Sequence, residues 1–124
     1  MVGRCIDQVY GDQSRIDEAV KGRYFELAMR PGNQEASIEV FTVMRKLCRD
    51  PSLSEGISRI TVPTLIMWGK LDEWIPYEHV ELWKRDLPAA RVIAYEGVGH
   101  GPMEEIPERS ANDVDEFLRQ NRSQ

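Results

Sequence analysis

Two loop residues have the types and settings needed for proton-transfer chemistry. Asp72 lies in Trp68-Gly69-Lys70-Leu71-Asp72-Glu73-Trp74-Ile75-Pro76, just past a short apolar run. His100 lies in Gly97-Val98-Gly99-His100-Gly101-Pro102, among glycines that let the backbone turn sharply and come close to other groups. Histidine titrates near neutral pH. A partly buried carboxylate on its ring N–H would fix the tautomer and stabilise the imidazolium formed when the ring takes a proton. Asp72 and His100 therefore read as the acid and base of a nucleophile–His–acid system. Trp74, in the same loop as Asp72, is the candidate substrate-binding side chain, whereas Trp68 and Trp83 read as packing residues of a strand end and a helix face.

Each of these positions also has a plainer use. Asp72 suits a turn or helix cap ahead of Pro76, and His100 suits a structural loop histidine. His79 has no second ligand at metal spacing, so no metal site is expected and His79 reads as a surface residue. Glu104 and Glu105 precede Pro107 and read as structural, favouring the start of the last helix through its dipole. Tyr10, Tyr24, Phe25, Met29, Phe41 and Met44 fit either an apolar pocket or helix–helix packing.

The elements that must position Asp72 and His100 follow from periodicity. Before residue 50 the apolar spacing is helical throughout: Val2, Ile6, Val9 and Tyr10; then Val20, Tyr24, Leu27 and Ala28; then Val40, Phe41, Met44, Leu47 and Cys48. Three helices are expected, with a break at Gly11-Asp12, Asp17 capping the second, Pro31-Gly32 ending it and Asn33 capping the third. Asp50-Pro51-Ser52 stops the third helix. The unbroken apolar run from Thr64 to Trp68 predicts a buried parallel strand. Ile75-Pro76 opens a helix with Val80, Trp83 and Leu87 on one face, and a second strand runs from Arg91 to Tyr95. That is a βαβ unit, whose strand C-termini are where α/β proteins place their chemistry. A last helix from Pro107 carries Ala111, Val114, Phe117 and Leu118 on one side.

Composition excludes several classes. The 124 residues fit one compact unit, and 41% hydrophobic with 30% charged residues is the balance of a globular chain. With 16 basic against 21 acidic side chains and a net charge of −5, nucleic acid is not an expected partner. No apolar run approaches the ~20 residues that span a bilayer and no leader pattern opens the chain, so a cytoplasmic protein without membrane contact is expected. Cys5 and Cys48 lack metal or redox spacing and read as small apolar residues of two helices, without a disulfide.

The stretch from Val62-Pro63-Thr64-Leu65-Ile66-Met67-Trp68-Gly69 through Asp72 and Ile75-Pro76, then Leu87-Pro88 through Gly97-Val98-Gly99-His100 and Met103-Glu104-Glu105 to Pro107, resembles the α/β-hydrolases with a helical lid. The resemblance implies an α/β fold of which this chain is the C-terminal portion. Residues 1–57 are similar to the lid, and residues 58–124 to the core's last two parallel strands and their helices. It assigns Asp72 as catalytic acid and His100 as catalytic base. It also implies a small, largely apolar ester or related acyl or alkyl substrate, and no metal or organic cofactor.

The family's Gly-x-Ser-x-Gly elbow is not in the sequence. Ser14, Ser37, Ser52, Ser54, Ser58, Ser110 and Ser123 all lack that setting, as does every aspartate. The nucleophile, Ser or Asp, is therefore expected outside this chain, in an N-terminal half that is the expected partner unless the chain self-associates. The competing expectation is a catalytically inactive truncated fragment that serves as a binding or assembly module.

Overall fold

A computed structural model of the chain describes residues 2–122. The side chains of residues 1–5 and of Pro51 lie outside that description, and with them the packing expected of Val2 and Cys5. The order is α1 (Val2–Val9), α2 (Glu18–Met29), α3 (Asn33–Leu47), β1 (Leu65–Gly69), α4 (Val80–Asp86), β2 (Arg91–Tyr95), α5 (Pro102–Glu105) and α6 (Pro107–Asn121). Short 3-10 turns at Gln13–Arg15, Pro51–Ser54, Ile57–Arg59 and Tyr77–His79 join them.

The three expected helices form where the punctuation puts them. Asp17 caps α2, its carboxylate accepting from the Val20 N–H at 2.7 Å, a contact worth about 1 kcal/mol. Gly32 turns the chain into α3 in a left-handed conformation, φ 83°, which glycine adopts without a Cβ penalty. The expected cap on α3 is corrected. Asn33 is the first residue of α3 rather than its cap, and its side-chain amide donates backwards to the Leu27 carbonyl at 2.7 Å. It closes the C-terminus of α2, because the tight turn at Gly32 folds it over the carbonyls that helix leaves unpaired.

β1 and β2 pair in parallel, Leu65 opposite Arg91 through Gly69 opposite Tyr95. The second strand has its expected limits. The first is displaced by one residue, ending at Gly69, and is less buried than expected. Ile66 and Gly69 are buried while Met67 and Trp68 are half-exposed, since among the described residues β1 has a strand neighbour on one edge only. The segment after Pro76 begins with a 3-10 turn before α4, whose Val80 is buried.

Ile6, Tyr10, Ile66, Val80, Leu87, Tyr95 and Val98 form the core. Polar contacts hold α6 against β2: the Tyr95 hydroxyl donates to Asp113 at 2.8 Å, Arg91 donates to Gln120 and Glu116 at 2.9 and 3.3 Å, and the Arg109 guanidinium lies over the Tyr95 ring. The apolar side of α6 is less covered than its pattern implies, with Ala111, Val114 and Leu118 exposed. No residue of α2 or α3 is buried; Phe25, Ile38 and Phe41 are more than half exposed, and Cys48 is an exposed free thiol. The aromatic and methionine residues of these two helices therefore do not make the expected packed helix–helix core.

Candidate active site

The loops after β1 and β2 run side by side because the strand ladder continues into them. The Lys70 N–H donates to the Tyr95 carbonyl at 3.0 Å and the Leu71 N–H to the Val98 carbonyl at 2.9 Å. This approach needs glycine: a Cβ on Gly69 would lie 2.0 Å from the Gly99 carbonyl oxygen and 2.3 Å from that of Val98. Both obstacles are backbone, so neither can swing aside.

Asp72 and His100 meet at this junction. Asp72 Oδ2 lies 2.8 Å from His100 Nδ1. Asp72 Oδ1 accepts from the N–H groups of Trp74 and Ile75, each at 2.8 Å. The turn-capping use of Asp72 and its contact with the imidazole thus occur together, one on each oxygen. The Asp72 side chain is 4% exposed and that of His100 36% exposed, so the carboxylate is shielded while the ring keeps an accessible side. An ionised carboxylate only accepts, which makes Nδ1 the protonated nitrogen and leaves the lone pair on Nε2.

Trp74 is brought onto the histidine. Its ring stacks on the imidazole with centroids 5.6 Å apart and planes 23° from parallel. The backbone of His100 is fixed from the other side of the site, its N–H donating to the Val9 carbonyl at 2.7 Å. His100 also borders an open groove of about 680 Å³ whose apolar walls include Met67, Pro102, Ala111, Val114 and Leu118.

Glu104 and Glu105 are structural, but through other contacts than the dipole of α6. Glu104 accepts from the Tyr10 hydroxyl at 3.3 Å and from Arg23 at 3.1 Å, and so ties α1 and α2 to α5. Burial, and then a hydrogen bond to Glu104, push the Tyr24 hydroxyl up to about 12. Glu105 is buried and accepts from the N–H groups of Gly11, Asp12 and Gly99 at 3.0, 2.8 and 2.7 Å. Its partners lie as far as 94 positions away, so helical position alone pointed to the wrong role. His79 is exposed, and among the described residues no group of three His, Cys, Asp or Glu side chains stands where it could hold a metal ion.

No protein-family model matches the sequence. Among curated proteins the chain is 43% identical over 61 residues to Lipase 3 of Moraxella sp. (strain TA144), covering 49% of this chain and 19% of the lipase. It is 33% identical over 67 residues to monoacylglycerol lipase ABHD6 of Rattus norvegicus, covering 54% and 20%. The chain thus spans about a fifth of the length of these curated relatives. Among solved structures, a bacterial membrane phospholipase A superposes with a TM-score of 0.81 at 26% identity, over 99% of this chain and 38% of the other.

Proposed function

Because this chain is a C-terminal portion of the α/β-hydrolase fold, we propose that Asp72 and His100 are the acid and base of an ester hydrolase whose nucleophile lies on another part of the protein. The observation that carries this is the 2.8 Å contact between Asp72 Oδ2 and His100 Nδ1 at the ends of two paired parallel strands. Similarity to lipases supports the ester as substrate class. In this reading the nucleophile is a serine hydroxyl, and His100 Nε2 takes its proton as the oxygen attacks the acyl carbon. Asp72 holds Nδ1–H and stabilises the imidazolium. His100 then gives the proton to the departing alcohol, and a water activated by the same Nε2 releases the acid. Trp74, stacked on the imidazole, is the proposed boundary between ring and substrate. Residues 1–57 are the proposed lid, although the Val9–His100 hydrogen bond ties the first helix to the core segment of residues 58–124.

The test is a chimera in which this chain replaces the matching C-terminal segment of the Moraxella lipase. Hydrolysis of a short p-nitrophenyl ester that falls by roughly 10³-fold or more in His100→Ala and Asp72→Asn versions supports the assignment. A folded chimera that turns over equally well with His100→Ala refutes it.

A further inference from the structure

Glu105 is 5% exposed and its carboxylate meets three backbone N–H groups, two from the turn after α1 and one from the loop that carries His100. The nearby Arg15 guanidinium donates instead to the Glu105 backbone carbonyl at 3.2 Å. The two segments bridged by the carboxylate touch directly. A Cβ on Gly99 would lie 2.4 Å from both the Gly11 nitrogen and the Val9 carbonyl oxygen, and a Cβ on Gly11 would lie 2.7 Å from the Gly99 nitrogen. The Val98–Gly99 peptide is thus held by Glu105 and the Gly99–His100 peptide by Val9, so the N–H groups of both peptides that lead into the base are occupied.

We propose that Glu105 is a positioning residue for His100, its buried carboxylate locking the turn at residues 9–12 onto the Val98–Gly99 peptide, one step before the base, so that turn and base move as one body. The inference rests on the reading of His100 as the base held by Asp72. The chemistry calls for a carboxylate, since three donors converge on one side chain and only an ionised carboxyl accepts with both oxygens. Glutamine has the same length but must turn an NH₂ toward at least one of those N–H groups.

The chain has two histidines, so His79→Gln leaves His100 as its one imidazole. In that background, ¹⁵N and ¹H spectra of the ring report whether Nδ1 is protonated and how fast its proton exchanges. Glu105→Gln is expected to speed exchange of the His100 Nδ1 proton by about tenfold or more, with the far-UV circular dichroism unchanged. A folded Glu105→Gln chain whose His100 ring signals match the parent overturns the proposal. Amide exchange on the unaltered chain covers the case in which that variant fails to fold. There the amides of Gly11, Asp12, Gly99 and His100 are expected to open together with one protection factor, and independent exchange of Gly99 from Gly11 and Asp12 overturns the proposal. Asp72→Asn separates the two levels: if it leaves the ring unchanged, the underlying reading fails, and if it alters the ring while Glu105→Gln does not, only the role of Glu105 fails.

Discussion

Asp72 reaches His100 through one oxygen alone, Oδ2 at 2.8 Å from Nδ1, while its other oxygen is held by two backbone N–H groups. This asymmetry fixes what an asparagine would do. Its amide oxygen would keep the Trp74 and Ile75 N–H groups, which forces the NH₂ toward the imidazole. Nδ1 would then have to accept, and the neutral ring would move its proton to Nε2. Asp72→Asn is therefore expected to preserve the fold and reverse the His100 tautomer, read as exchanged ¹⁵N shifts of the two ring nitrogens. A ring that keeps its proton on Nδ1 contradicts the geometry.

Glycine substitutions should separate contact from propensity. Gly69→Ala drives a methyl group into the Gly99 and Val98 carbonyls and should cost about 3 kcal/mol or more. Gly22 lies inside α2, where an added Cβ meets nothing within 4 Å, so Gly22→Ala should stabilise by about 1 kcal/mol. Urea unfolding of the two variants beside the parent measures both. Equal effects of the same sign would mean that the approach of the loops at Gly69 is not tight.

Both strands were legible in the sequence because their signals are local, an apolar run and a proline. The meeting of Asp72 with His100 was legible because it follows from those strands ending side by side and from the resemblance to the lid-bearing α/β-hydrolases. What could not be read depends on contacts between distant segments. Nothing near Glu105 announces that Gly11 and Asp12 will arrive at its carboxylate, and Asn33 looks like a cap for the helix that follows it until the turn at Gly32 folds it back on Leu27. Trp74 was visible as a loop aromatic, but its stacking on the imidazole follows from the Asp72-capped turn. The apolar spacing on α2, α3 and α6 forecast helices correctly and packing incorrectly, since period shows which residues share a face but not whether anything covers it.

Alkaline pH should weaken the fold through its tyrosines. Burial raises the Tyr95 hydroxyl, with the Asp113 hydrogen bond adding to it; burial likewise raises Tyr10 and lifts Tyr24 to about 12. The unfolded chain ionises its phenols near ~10, so it releases protons that the folded chain retains. The stability these groups contribute is whole below that pH and is lost as pH rises from about 10 toward 12. Phenolate absorbance should accordingly lag in the native chain and rise together with loss of the circular dichroism signal. Complete ionisation near ~10 in a chain that stays folded would rule this out.

The surface left uncovered leads to the last expectation, that the isolated chain self-associates. β1 has a free edge among the described residues, and an unpaired apolar strand edge is a template for another chain. Beside it, Met67 and the exposed Val114 and Leu118 border the 680 Å³ groove, while Phe25, Ile38 and Phe41 stand exposed on α2 and α3. Burying such surface is favourable by about 25 cal/mol per Å², so even a modest contact offsets part of the cost of association. The net charge of −5 opposes it, and salt screens that repulsion. Sedimentation velocity should therefore show a mean mass that rises with protein concentration and rises further from low salt to roughly 0.3 M. Leu118→Lys should shift the distribution toward monomer by placing a charge in the groove. Co-expression with the N-terminal part of an α/β-hydrolase, the proposed natural cover for the free edge, should do the same. A monomer at every concentration and salt, with a sharp cooperative melt, would show that two strands and their helices bury enough by themselves.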